Sequence, residues 1–187
     1  KDHPYAFTET DLSYMKGFSL IYTNLNSYIE EDLPFLKQSG VPIVYDFSTR
    51  WDDAYLRKVV PFITLGVLSC AHLSTSEREC EMRKVADLGA VMVLGTVGEA
   101  GSYILYQDTF LHQPVVPAEM VKDTMGAGDS YLSAFLVSLL RSTEGRFLKE
   151  PDAELDVHIQ NAMHAGAIFA AKVCGMEGAF GYGIPLV

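Results

Sequence analysis

Along this chain the spacing of apolar residues changes period repeatedly, and each change marks an element. Thr10 to Lys16 reads as a short helix and Phe18 to Tyr22 as a strand. Ser27 with Glu30 is a capping box for a helix that ends near Gly40, and Val41 to Tyr45 is the next strand, with Asp46 at its end. A helix over Ala54 to Val60 leads to a strand at Leu65 to Cys70, and Ser74 with Glu77 caps a further helix that stops at Gly89. Ala90 to Leu94 is apolar throughout, as a strand buried on both faces must be. Helices alternating with strands predict an α/β fold on a mostly parallel sheet. The rhythm then changes. Gly98-Glu99-Ala100-Gly101 is a turn, Ser102 to Gln107 alternates polar and apolar, Asp108-Thr109 is a second turn, and Phe110 to Val116 follows. That pattern predicts an antiparallel meander at one edge of the sheet. Two long helices come last, at about 126–141 and 153–173. No repeat, low-complexity segment or linker interrupts the pattern, so residues 1–187 read as a single α/β domain.

Composition narrows the chemistry. The chain has 187 residues, 49% hydrophobic and 20% charged, which is enough apolar material for a sizeable core. The formal net charge is −10, from 14 basic and 24 acidic residues, which argues against nucleic acid as a partner. The longest apolar run, near Phe135 to Leu140, is too short to cross a bilayer, so no membrane role is expected. Cys70, Cys80 and Cys174 show no Cys-x-x-Cys spacing and read as reduced thiols in a cytoplasmic protein, with Cys70 in the core. A protein this acidic that handles a polyphosphate must rely on backbone N–H groups, a divalent cation and a few placed side chains.

The most informative string is Asp123-Thr124-Met125-Gly126-Ala127-Gly128-Asp129, which opens straight into the helical run Ser130 to Leu140. Small residues at a helix start let an anion approach the backbone. The N–H groups of Gly126, Ala127, Gly128 and Asp129 are then expected to point outward, reinforced by the helix dipole. A carboxylate at the end of an anion cradle repels the phosphate beside it, unless Asp129 is there to take a proton from an attacking hydroxyl. The bland alternative is a Gly-rich cap with an aspartate in the first turn, where negative charge is welcome.

The whole string resembles the second signature of the ribokinase-like (pfkB-type) carbohydrate kinases, Asp-Thr-x-Gly-Ala-Gly-Asp. The resemblance implies a three-layer, ribokinase-like, mostly parallel sheet and a kinase that uses ATP and Mg²⁺. It makes Asp129 the catalytic base, with Gly126, Ala127 and Gly128 stabilising the transferring phosphoryl group. Thr96-Val97-Gly98-Glu99-Ala100-Gly101 resembles the family's Thr-Leu-Gly-x-x-Gly turn, which lies against the nucleotide phosphates. Thr96, Gly98, Gly101 and Thr124 are therefore expected to face the nucleotide. Gly178 lies in a stretch similar to the family's Gly-Ala turn, Gly175 to Phe180. In some members that turn helps hold a monovalent cation together with the residue matching Asp123.

Tyr45-Asp46-Phe47-Ser48-Thr49-Arg50-Trp51 lies past the carboxyl end of a strand, where open sheets bind ligands. It resembles the family's Asp-x-Asn-x-Arg pattern with Ser48 in place of Asn. It is closer still to the Asp-Phe-Ser-x-x-Trp-Asp string of the fructoselysine 6-kinase branch. Asp46 and Arg50 are the candidate sugar contacts, with Arg50 free to meet a phosphate or to pair with Asp46; Trp51 would line a sugar pocket or pack under the next helix, and packing is the expectation. One departure bears on metal. Where the family carries Asn-x-x-Glu, this chain reads Ser69 to Glu77 without that motif, and the cap at Ser74 accounts for Glu77. The metal ligands are left unassigned.

The resemblance covers the later part of a family member. The family's Gly-Gly signature and lid strands have no counterpart, and the chain starts at Lys1-Asp2-His3-Pro4, so a fragment or truncated product is expected. An apolar sheet edge and self-association, as a dimer, follow from that expectation. Three readings stand: a fructoselysine-type 6-kinase, a kinase for another sugar or a nucleoside, and a non-catalytic nucleotide-binding or oligomerising fragment.

Overall fold

A computed structural model of the chain describes residues 6–146 and 154–178. Its elements run α1 Glu9–Met15, β1 Ile21–Asn24, α2 Leu33–Leu36, β2 Ile43–Asp46, α3 Asp53–Val59, β3 Leu65–Ser69 and α4 Thr75–Asp87. They continue with β4 Met92–Thr96, β5 Ser102–Tyr106, β6 Thr109–Gln113, α5 Ala127–Ser142 and α6 Leu155–Cys174. The six strands lie in sequence order, β1 to β6. β1 to β4 are parallel, with Ile21 opposite Ile43, Val44 opposite Leu65, and Leu65 opposite Met92. β5 and β6 are the antiparallel edge strands expected from the turn-rich stretch.

The chain forms two compact units, Lys1–Val97 with Tyr103–Leu111, and Gly98–Ser102 with His112–Val187. In the first unit, β2, β3 and β4 are buried along their length, and Leu33, Leu36, Phe47, Leu56, Met82 and Val85 close over them. Cys70 is in this core, as expected, and Trp51 packs against it while its indole N–H donates to Glu81 at 3.0 Å. Gly66 and Gly95 admit close neighbours, since a methyl on Gly95 would meet the Met82 sulfur at 2.9 Å. In the second unit α5 and α6 pack on each other, and Gly166 lies against Tyr131.

The capping box of Ser74 with Glu77 forms as expected. The one expected at Ser27 with Glu30 does not: regular helix is confined to Leu33–Leu36, followed by a 3-10 turn at Lys37–Ser39 that ends on left-handed Gly40. The reason is that Glu30 has tertiary partners. Its carboxylate accepts the hydroxyls of Tyr55 and Tyr45, at 2.5 and 3.2 Å, and Tyr28 takes a positive φ of 55°. β1 also starts later than expected. Gly17 and Phe18 donate back to Tyr14 and Met15 as a continuation of the α1 end, and pairing begins where Ile21 N–H meets Pro42 C=O. The hairpin turn falls on Gln107 and Asp108, both at positive φ, one residue earlier than expected. Among the described residues no helix is long and apolar enough to cross a membrane. Ala179 and Phe180 lie outside the described residues.

Candidate active site

The stretch before α5 folds on itself through short-range bonds. Asp123 Oδ1 accepts the Met125 N–H at 2.9 Å, an Asx turn, and Ala127 N–H donates to Thr124 C=O at 3.2 Å. Gly126 is the N-cap, at φ 75° and ψ 0°, a left-handed geometry that glycine takes without strain. It supplies no capping side chain, and the helix starts with Ser130 N–H donating to Gly126 C=O at 2.9 Å. The N–H groups of Gly128 and Asp129 in the first turn therefore have no acceptor among the described residues, while the dipole of a 16-residue helix stands behind them. A methyl built on Gly128 meets no heavy atom of the described residues within 4 Å, so among them the space in front of this turn is open. The Asp129 carboxylate is exposed and makes no hydrogen bond or ion pair among the described residues. One expectation is corrected. Ala127 does not present its N–H outward, because the left-handed Gly126 folds it onto Thr124.

The same loop is tied to the end of α6. The N–H groups of Lys122 and Asp123 donate to Cys174 C=O, at 2.8 and 3.2 Å, and Asp123 Oδ2 accepts the Gly178 N–H at 3.0 Å. The N–H donors of Met125, Gly178 and Thr124, in that order, hold the Asp123 carboxyl below the usual carboxylate range. Both of its oxygens thus accept backbone donors, and the residue works as a tie between two loops.

Gly98–Ala100 form a 3-10 turn, and Gly101 follows it. Gly98 and Gly101 take φ of 54° and 87°, and Gly101 N–H donates to Gly98 C=O at 3.0 Å. A methyl on Gly101 would lie 2.1 Å from the Gln113 carbonyl oxygen, so glycine is required there for close approach to the end of β6. His112 Nε2 also donates to Ala100 C=O at 3.0 Å. Gly101, expected to face the nucleotide, has its N–H spent within the turn.

In the first unit, Thr96 ends β4 opposite Ser69, and its carbonyl accepts Cys70 N–H at 2.7 Å. Asp46 ends β2 opposite Asn24, and its Oδ1 accepts Ser48 N–H at 2.7 Å. Ser48 sits at φ 54°, a conformation Asn tolerates better than Ser, which gives a physical reason for Asn at this place in the family pattern. Arg50 donates from Nη2 to Asn26 Oδ1 at 2.6 Å, and Asn26 N–H donates to Asn24 Oδ1 at 2.9 Å. Sequence reading missed Asn26, although Asn24-x-Asn26 directly after a strand is the kind of turn signal that could have flagged it. It also missed Arg78, buried at 4% exposure with its guanidinium 3.9 Å from the centre of the Tyr103 ring. Glu77 is spent on the cap, where the Ser74 hydroxyl and then its N–H hold the carboxyl low. No three His, Cys, Asp or Glu side chains gather as a metal site among the described residues.

With this geometry in view, comparison with known proteins defines the class. Ribokinase from Arabidopsis thaliana, in a structure with ribose and ATP, superposes with a TM-score of 0.71 at 18% identity, over 95% of this chain and 56% of that one. That likeness establishes the fold as ribokinase-like. The chain matches the model of the pfkB family carbohydrate kinase over residues 2–179 and belongs to that family. It is 41% identical over 182 residues to the fructosamine kinase FrlD of Bacillus subtilis, covering 96% of this chain and 58% of the relative. It is 29% identical over 132 residues to the fructoselysine 6-kinase of Escherichia coli, covering 71% of this chain and 50% of that protein. The chain thus spans between half and three-fifths of these relatives.

Proposed function

We propose that this chain is the later portion of an ATP-dependent sugar kinase and transfers the γ-phosphoryl group to a sugar hydroxyl. The observation that carries the reading is the start of α5. A glycine N-cap without a capping side chain, open space over Gly128 and an Asp129 carboxylate with no partner among the described residues meet in one helical turn. An Asp that merely compensated a dipole has no need of a glycine cradle.

In this reading Asp129 takes the proton of the attacking hydroxyl, and the N–H groups of Gly126, Gly128 and Asp129 hold the phosphoryl oxygens. Ala127 and Gly101 shape their turns without offering N–H groups. Thr96, Gly98, Thr124 and Gly178 face the nucleotide, and Asp46 and Arg50 face the sugar. Bound Mg·ATP supplies the phosphoryl group with its charge partly offset by the metal. What this chain's own residues contribute in this reading is orientation, N–H donors for the phosphoryl oxygens and proton removal.

The acceptor we assign is the 6-hydroxyl of fructoselysine or a related amine-linked fructose. Support comes from the Asp46-Phe47-Ser48 and Trp51-Asp52 string and from the names carried by the two relatives. Another sugar or a nucleoside is the nearest alternative. Cytoplasmic residence and a homodimer belong to the same proposal, supported by three free cysteines and by Tyr22 exposed on β1 at one end of the strand order. A second reading, a non-catalytic fragment that binds nucleotide or self-associates, draws on Glu77 being committed to its cap.

The test is Mg·ATP-dependent phosphorylation of fructoselysine, fructose, ribose and a nucleoside, with product position read by NMR. Transfer to the 6-hydroxyl of fructoselysine is expected. Transfer to ribose or the nucleoside alone would overturn the acceptor, and no transfer by protein that binds ATP would favour the fragment.

A further inference from the structure

Tyr131 lies two positions beyond Asp129, in the first turn and a half of α5, and is 6% exposed. Its hydroxyl lies 2.6 Å from Ser102 Oγ, and Ser102, 1% exposed, is the residue directly after Gly101. One buried polar bond thus joins the start of α5 to the Gly98–Gly101 turn. The ring itself is held. A methyl on Gly166 of α6 would meet the Tyr131 carbonyl oxygen at 2.9 Å and its ring carbons at 3.0 and 3.1 Å. Phe135 stacks on the other end, ring centres 6.4 Å apart. The turn is fixed from its far side by the contact of Gly101 with Gln113 to Val115 and by the bond from His112 to Ala100.

We infer that Tyr131 is a positioning residue whose hydroxyl, through Ser102, sets the spacing between the Gly98–Gly101 turn and the α5 N-terminus. This rests on the kinase reading, in which one polyphosphate must touch both. A ligand that spans two fixed points loses affinity when their spacing loosens, whereas a ligand that reaches only one does not. The bond is buried, so its loss is felt. Removing one partner leaves the other hydroxyl without water, and removing both relieves that penalty.

The experiment compares the full chain with Tyr131→Phe, Ser102→Ala and the double variant. Amide hydrogen exchange of residues 98–102 is followed in ligand-free protein, and affinities for Mg·ATP and for AMP are measured by calorimetry. Tyr131→Phe keeps the ring under Gly166, so folding survives with a melting temperature lower by about 2–4 °C. Exchange at 98–102 is expected to quicken about 5- to 10-fold. Mg·ATP affinity falls about 3- to 10-fold while AMP affinity stays, and the double variant is no worse than either single one. Unchanged exchange and an unchanged ratio of ATP to AMP affinity in both single variants would overturn the inference. Quickened exchange in a protein whose wild type takes no ATP would overturn the kinase reading and the positioning role together, leaving only a structural tie.

Discussion

Gly128 offers the cleanest perturbation of the proposed cradle. It occupies the second position of α5, its φ lies outside the left-handed region, and an added methyl meets nothing within 4 Å. Alanine there should not strain the protein. Glycine to alanine in a helix stabilises by roughly 0.5–1 kcal/mol, which for a chain of this size raises the melting temperature by about 1–4 °C. The methyl, however, tilts toward the helix N-terminus, into the space the phosphoryl oxygens need. One or two charge-assisted hydrogen bonds of about 1.5–3 kcal/mol each would be stretched or lost, so Mg·ATP affinity should fall about 10- to 100-fold. Thermal melting without ligand and calorimetric titration with Mg·ATP read the two effects separately, and Gly128→Val should deepen only the second. ATP affinity within twofold of wild type, in a variant as stable as wild type, would refute the cradle. Gly126 gives no such test, because its φ of 75° makes any substitution a folding problem.

Gly101→Ala should fail to fold or melt many degrees lower, since its methyl would lie 2.1 Å from the Gln113 carbonyl oxygen, and a wild-type melting curve would contradict that. The Asp123 carboxyl is held low by the N–H groups of Met125 and Gly178, so its stabilising tie is fully present above the usual carboxylate pKa of about 4 and is lost as pH falls through the lower folded value. The Gly178 amide resonance should therefore titrate below that range in wild type and not at all in Asp123→Ala; titration at or above it would contradict the tie. Burial pushes the Tyr131 hydroxyl up to about 12, and burial followed by Glu30 does the same for Tyr55. Both are raised above their unfolded values, so the stability they contribute is intact below pH about 10 and is lost as pH rises toward 12. Absorbance at the tyrosinate band should show a late step, from Tyr131 and Tyr55, that coincides with unfolding. A single step near pH 10 for all the tyrosines would rule this out.

What could be read from the chain beforehand was what is local. Ser74 and Glu77 cap α4 because both partners sit within one turn, and the apolar run at Ala90 to Leu94 marks a central strand without help from elsewhere. Ser27 and Glu30 have the same spacing but no such cap, since Tyr45 and Tyr55, distant in sequence, claim the Glu30 carboxylate. The glycines of the Asp123 to Asp129 string are what suggested an anion site, and they are local in the same way. That Ala127 and Gly101 turn their N–H groups inward depends on the positive φ of Gly126 and on the closing of the Gly98–Gly101 turn, and neither is written in residue types. The bonds from Ser102 to Tyr131 and from Arg50 to Asn26 link residues far apart in the chain and were invisible for the same reason.

The central claim is that Asp129 is a base in an anion cradle and not a dipole-compensating charge. Asp129→Asn keeps the shape and removes the base, so the deciding measurement is turnover with fructoselysine beside calorimetric Mg·ATP affinity in wild type and variant. The account predicts turnover lower by about 10²–10⁴ with nucleotide affinity unchanged. Turnover within a few-fold of wild type, or ATP affinity lost together with activity, would contradict it.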